Sequence, residues 1–392
     1  MPTKLTFANV LKSTIFKDRK ILYDLTPQTG FVHRTEQRNE LIVELSPILL
    51  NSAVPGIFIY GTPGTGKTGL TFELMNELEK EAKKNAIKLK TVYLNCSENR
   101  TETTILMELL TNINPSGKYP KMGWTRKKAV SEFQKVINEI GGNILFALDE
   151  VDYALRETGD DILYRLSRIN NKVKANISTI IISNDIKVGD YIKPKTQSAF
   201  GRVKVIFSPY SAEELHDILN DRVKYAFKEE VVSEAALKKI SELEAERGGD
   251  ARKALELLDS CAKIALSKKR DKITLDLVEE ADRNLEQDST VKILTGLAKH
   301  QKILYLALLK GKKEMTNGKQ VYKNYVKECK SYHIESLTER RIRSFLVEFG
   351  ELGLIETEVG WLKNLKKKSR KISLNLDKAI KNKVRKILRD SI

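Results

Sequence analysis

A chain of 392 residues with 41% apolar content is long enough for two or three domains with real cores. No apolar run approaches the roughly 18 residues of a membrane helix, the N-terminus lacks a signal peptide's apolar core, and Cys96, Cys261 and Cys329 have no paired spacing. These features exclude a disulfide framework and a zinc site and lead to the expectation of a soluble, cytoplasmic protein. The net charge of +17 is concentrated at one end: residues 291–392 hold 25 Lys and Arg against 10 Asp and Glu, so a polyanionic partner is expected for the C-terminal part.

In chain order, Tyr23 to Arg34 is rich in turn formers. Residues 36–50 read as a helix with Leu41, Ile42, Leu45 and Leu49 on one side. This N-terminal segment either packs on a nucleotide base or simply wraps the core. Residues 57–60 form an apolar strand that runs into Gly61-Thr62-Pro63-Gly64-Thr65-Gly66-Lys67-Thr68, the phosphate-loop spacing. Its glycines let successive N–H groups turn toward an anion, and the helix over 68–84 presents its positive end there. Lys67 suits the outer phosphates and Thr68 suits Mg²⁺, so ATP or ADP with Mg²⁺ are the implied cofactors.

Residues 90–96 alternate as a strand. Residues 97–124 are polar, carry a short apolar helix at 105–110, and read as an insertion before a helix over 125–140. Lys118, Lys121, Arg126, Lys127 and Lys128 surround Tyr119 and Trp124. That pattern suits either nucleic-acid contact or a solvated basic rim. The strand from Asn143 ends in acids: Asp149 would hold Mg²⁺ through water, and Glu150 would polarise an attacking water. A strand over 178–183 ends at Asn184, which would orient that water or merely turn the chain. A last strand spans 203–207.

From residue 211 the pattern is helical: 212–226, 233–246, 250–266 and 274–285. Gly248-Gly249-Asp250-Ala251-Arg252 starts the third of these helices, and Arg252 either clamps phosphates or is simply an exposed arginine. The polar stretch 284–291 marks a boundary. Helices follow over 294–309 and 319–332. Ser336 and Glu339 fit a capping box, and the next helix turns Ile342, Phe345, Leu346, Phe349 and Leu352 inward, leaving Arg340, Arg341, Arg343 and Ser344 outside. Two strands, 354–358 and 371–376, enclose a tip carrying Lys366, Lys367, Lys368 and Arg370. Three helices and a basic hairpin form a winged helix-turn-helix, whose third helix enters the major groove while the hairpin follows phosphates or the minor groove. Arginines there can read guanine edges, whereas lysines neutralise phosphate without reading sequence. No apolar face lies opposite the lysines, so no membrane partner is expected.

The order is therefore an α/β P-loop core (1–208, insertion 97–124), an all-helical lid (209–288) and a C-terminal winged helix-turn-helix domain (289–392). GTPGTGKT at 61–68, LDEVD at 148–152, IISN at 181–184, FSPYSAEEL at 207–215, GGDARKALELL at 248–258 and HRTEQ at 33–37 resemble the archaeal replication-initiator family of AAA+ ATPases, which implies an α/β AAA+ P-loop ATPase core. That family is related to the largest subunit of the eukaryotic origin recognition complex and its helicase-loading partner. The resemblance spans essentially the whole chain. It implies that Lys67 and Thr68 serve the phosphate loop, Asp149 and Glu150 the second ATPase motif, Asn184 the first sensor and Arg252 the second. It also implies that the insertion contacts DNA beside the winged helix. The partners it implies are double-stranded origin DNA, a paralogous initiator on the same DNA and the replicative helicase, with slow hydrolysis acting as a switch. One departure is that Gln197, Ser198 and Ala199 stand where relatives carry a trans-acting arginine. A transcriptional regulator with a regulatory ATPase domain and a helicase or transposase loader are the competing readings.

Overall fold

The computed structural model describes residues 15–54, 56–120, 123–200, 203–310, 314–315, 318–362, 367–374 and 378–392. By its contacts the chain divides into residues 1–279 and 280–392.

The first unit is built on five parallel strands, β1 (Ile57–Gly61), β2 (Leu89–Asn95), β3 (Asn143–Asp149), β4 (Asn176–Ser183) and β5 (Val203–Phe207), in the order β2-β3-β4-β1-β5. β3 and β4 are buried almost end to end because helices cover both faces of the sheet. The pleat sends alternate residues to separate cores: Phe58, Ile144, Phe146 and Leu148 join one, Ile57, Ile59, Leu145 and Ala147 the other. β1 lies between β4 and β5, with Tyr60 in register with Ser183 and Gly61 with Phe207. The loops after β1, β3 and β4 therefore emerge together at the carboxyl edge, where open α/β sheets bind ligands.

Helix α1 (Thr35–Leu45) is shorter than expected. It gives way to a 3₁₀ turn, Ser46–Leu50, at Pro47, which has no N–H to continue the ladder. Leu41 and Leu45 are buried, but Ile42 is not, because it faces away from the sheet. Helix α2 (Lys67–Lys84) follows the phosphate loop. Two helices, α3 (Glu102–Ile113) and α4 (Arg126–Ile140), fill the connection from β2 to β3. α3 is twice the length expected and is part of the core, with Ile105, Leu106, Leu109 and Leu110 fully buried. Thr101 caps it and extends it past its polar ends. After β3 come α5 (Val151–Thr158), α6 (Asp161–Ser167) and, after β4, α7 (Pro194–Phe200). The lid comprises α8 (Ala212–Ala226), α9 (Glu234–Glu246), α10 (Ala251–Ser267) and the start of α11 (Leu275–Gly296). Ser211, Ser233 and Asp250 cap α8, α9 and α10 through their side chains.

The polar stretch 284–291 is no loop. It lies inside α11, because it contains no Gly or Pro to end a helix.

In the second unit the helix expected over 294–309 is interrupted after Gly296, and α12 (Lys299–Leu309) starts afresh with Gln301 accepting from the Ala298 N–H. α12 is the buried axis of this unit. Around it lie α13 (Gly318–Ser331), α14 (Glu339–Glu351) and an antiparallel sheet of β6 (Glu314–Met315), β8 (Lys367–Ser373) and β7 (Glu356–Leu362). The Tyr305 hydroxyl ties α12 to the Leu354 carbonyl at 3.2 Å, and the Gln301 amide donates to Glu348 on α14 at 2.8 Å. The Ser336–Glu339 capping box does not form: 334–338 has no regular structure, and the extended Thr338 is the N-cap, with no side-chain bond. Ile342, Phe345, Leu346 and Phe349 are buried as expected, but Leu352, at the C-cap, is exposed. The strands also run further than expected. Trp361 pairs with Lys368 and Val359 with Arg370, so Lys367, Lys368 and Arg370 belong to β8 rather than to the tip. A final helix, α15 (Lys378–Asp390), was not expected. Val384 and Leu388 bury its inner side, and Arg385 donates to the Leu309 carbonyl at 2.9 Å, closing the end of α12.

Candidate functional site

The phosphate loop joins β1 to α2, and its side chains are already drawn together. Lys67 is only 4% exposed, and its ammonium donates to the Gly61 and Thr62 carbonyls at 2.9 and 2.7 Å. Burial pushes it down to about 8, opposed by the charge of Asp149 and reinforced by Arg252. A cation so incompletely compensated by its own chain is matched to an incoming phosphate. Thr68 donates to Asp149 Oδ2 at 2.6 Å, and the Glu150 N–H donates to Asp149 Oδ1 at 2.8 Å. Thr68 and Asp149 thus stand together as the pair that would hold Mg²⁺, the residue chemistry that hard cation requires. Glu150 sits at φ 52°, ψ 39°, a left-handed conformation rare for a residue with a side chain. Asn184 immediately follows β4, the strand beside β1.

The lid closes directly on this loop. The Ala251 N–H donates to the Gly64 carbonyl at 3.3 Å, and Asp250 caps α10 by accepting from the Arg252 and Lys253 N–H groups. A Cβ at Gly64 would stand 1.6 Å from Asp250 Oδ1, so only glycine lets the lid helix approach so closely. Gly249, at φ 68°, is pressed in the same way on the Tyr210 backbone. Arg252 is exposed and borders a cavity of about 220 Å³ beside the loop. Gly64, Gly66, Phe31, Tyr23 and Leu25 also line that cavity. The turn-rich segment 23–32 therefore forms part of its wall.

One residue absent from the expected set is central here. Arg34, 3% exposed, donates to the carbonyls of Thr65 at 3.0 Å, Ser208 at 2.7 Å and His33 at 3.1 Å, and its guanidinium lies 3.8 Å from the Tyr210 ring centroid. It staples the phosphate loop to the segment that carries the lid. Its only signal in the sequence is membership of HRTEQ.

The basic residues divide. Arg126 is engaged by Glu102 and by Asp161, the latter at 3.0 Å, so it ties α4 to α3 and α6 while its side chain stays exposed. Trp124 is half-buried against the core, edge-on to Tyr119, with Lys128 4.8 Å from its ring centroid. Lys118, Lys127 and Lys128 are exposed. On α14, Arg340, Arg341, Arg343 and Ser344 are all exposed; Arg343 pairs with Glu339 at 2.7 Å, and Arg341 lies over the Phe345 ring. Lys121 and Lys366 lie outside the described residues, and Lys367, Lys368 and Arg370 are placed only by strand register. Among the described residues no helix is long and apolar enough to cross a membrane.

Family models match in three consecutive blocks: an AAA domain over residues 55–185, a Cdc6 AAA+ ATPase-type lid domain over 216–283, and a CDC6 C-terminal winged helix domain over 292–383. The chain is 35% identical over 358 residues to ORC1-type DNA replication protein 1 of Sulfurisphaera tokodaii, covering 90% of this chain and 88% of that one. It is 33% identical over 353 residues to the ORC1-type DNA replication protein of Thermococcus kodakarensis, covering 88% and 85%. Among solved structures, the Aeropyrum pernix ORC1 protein in complex with DNA is similar at a TM-score of 0.74 and 26% identity, covering 95% of this chain and 96% of that one.

Proposed function

The chain belongs to the archaeal Orc1/Cdc6 initiator family, and from that premise we propose that it binds duplex origin DNA under the control of bound ATP or ADP with Mg²⁺. The observation that carries this reading is the direct bond from the lid helix to the phosphate loop, Ala251 to Gly64, in a chain that also holds a winged helix with outward arginines. A γ-phosphate between Lys67 and Arg252 would draw α10 further onto the loop and so report the nucleotide state through the lid. Duplex recognition falls to α14, whose arginines can reach base edges, and to β7–β8, whose lysines meet phosphates. Lys118, Lys127 and Lys128 extend the contact from the AAA+ unit. A paralogous initiator on the same DNA and the replicative helicase are the protein partners this role implies. The Gln197–Ala199 departure favours a slow switch over a motor driven in trans.

A footprint of the purified protein on its source genome, with ATP and with ADP, tests the proposal. A few sharp sites where replication starts, stronger with one nucleotide, are expected. Sites scattered upstream of many genes, or a featureless profile, would overturn it.

The wing has its own test. Lys367, Lys368 and Arg370 changed together to Ala are expected to flatten the salt dependence of duplex binding by up to ~0.9 log units per lost phosphate contact. Arg340→Ala or Arg341→Ala should instead relax sequence preference by about 1–3 kcal/mol where a bidentate base contact is lost. An unchanged salt slope would make the β8 cations merely solvated.

A further inference from the structure

The geometry assigns Tyr93 as a positioning residue for the Mg²⁺-binding carboxylate, a role that rests on the nucleotide reading above. Tyr93 lies on β2, one strand away from Asp149 on β3, and its hydroxyl donates to Asp149 Oδ2 at 2.8 Å. Thr68 donates to the same oxygen at 2.6 Å, while Oδ1 accepts only the Glu150 N–H at 2.8 Å among the described bonds. Oδ2 is therefore filled by two donors, and the carboxylate is fixed in one rotation. The remaining lone pair of Oδ1 is the acceptor left for a metal-bound water. Asp149 is 4% exposed, so little bulk water would take over if one donor were lost.

Tyr93 is itself held in place. Its ring packs against Phe72 of α2 with centroids 4.3 Å apart, which anchors the hydroxyl between the phosphate-loop helix and β3. A phenol, whose ordinary titration lies well above neutral pH, is a donor throughout the working pH range. Groups that orient a metal's ligand from behind typically change metal affinity about 10–100-fold when removed. Tyr93 fits that description, whereas a tyrosine that merely satisfies its own buried hydroxyl would influence stability alone.

The test uses the purified full chain and a fluorescent ATP analogue titrated with Mg²⁺. Tyr93→Phe is expected to raise the Mg²⁺ midpoint about tenfold, with analogue affinity in EDTA unchanged. Phe72→Leu, which loosens the packing that anchors the hydroxyl but keeps the hydroxyl itself, should raise the midpoint by less than Tyr93→Phe does. An unchanged midpoint in Tyr93→Phe, or an equal loss of affinity in EDTA, would overturn the assignment. Wild-type protein whose analogue binding ignores Mg²⁺ would overturn the nucleotide reading beneath it.

Discussion

Glu150→Gln is expected to lower ATP turnover by about 10²–10⁴-fold while ATP and Mg²⁺ still bind. The two side chains have the same shape, so the substitution removes a base and little else. Glu150 follows Asp149 at the edge of β3, half-buried, and no ion pair among the described residues engages its carboxylate. Its backbone is held in the left-handed region at φ 52° by its N–H bond to Asp149 and by the Tyr153 N–H, which donates to its carbonyl at 3.1 Å. That conformation costs of order 1–3 kcal/mol, and it turns the side chain off the strand path at the sheet edge where the phosphate loop lies. Asp149→Asn should behave differently, because it disturbs the partner of Thr68 and Tyr93 and so weakens Mg²⁺-dependent binding itself. Single-turnover hydrolysis and analogue binding, measured on both variants, separate the two roles. Undiminished turnover in Glu150→Gln would mean that another group activates the water. If nucleotide state is the switch, the same variant should hold the ATP-bound form on DNA for longer.

The parts of this site that could be read from sequence are local ones. Gly61 to Thr68 carries its function in consecutive backbone groups, so spacing alone is informative. Asp149, Glu150 and Asn184 could be placed together from sequence because buried strands of a parallel sheet end at one edge, where open α/β sheets bind ligands. Arg34 and Tyr93 were not, for a common reason. Arg34 finds Thr65 31 residues away and Ser208 174 residues away, and the Tyr93 hydroxyl finds Asp149 at a separation of 56. Strand alternation places Tyr93 on a face, but only register shows what its hydroxyl meets. The misread elements follow tertiary preference over local pattern. α3 extends through polar ends because its apolar side completes the core, and α11 runs on through residues that neither favour nor forbid a helix. Arg126 reads as a nucleic-acid contact from its basic neighbours, but its ion pairs with Glu102 and Asp161 were not legible, because neither is near it in sequence.

Arg34→Ala is expected to destabilise the AAA+ unit by about 3–5 kcal/mol, because it leaves the Thr65, Ser208 and His33 carbonyls without their donor in a buried setting and removes the guanidinium from the Tyr210 face. A loss of that size corresponds to a drop of about 10 °C in the unfolding midpoint. The consequence reaches beyond stability. Tyr210 donates its N–H to the Gly249 carbonyl at 3.2 Å, so the staple joins the phosphate loop to the start of the lid helix through one aromatic ring. Arg34→Lys keeps the charge, but a single ammonium cannot span carbonyls on both sides or stack flat on the ring. It should recover only part of the stability, and its nucleotide affinity should remain below wild type. Calorimetry with and without ATP distinguishes the two effects. A staple that organises the loop predicts that the ATP-induced rise in midpoint shrinks in both variants, the stabilisation free energy falling by RT ln of the ratio of affinities at saturating ATP. A rise equal to wild type on a lowered baseline would reduce Arg34 to a core contact with no part in the site.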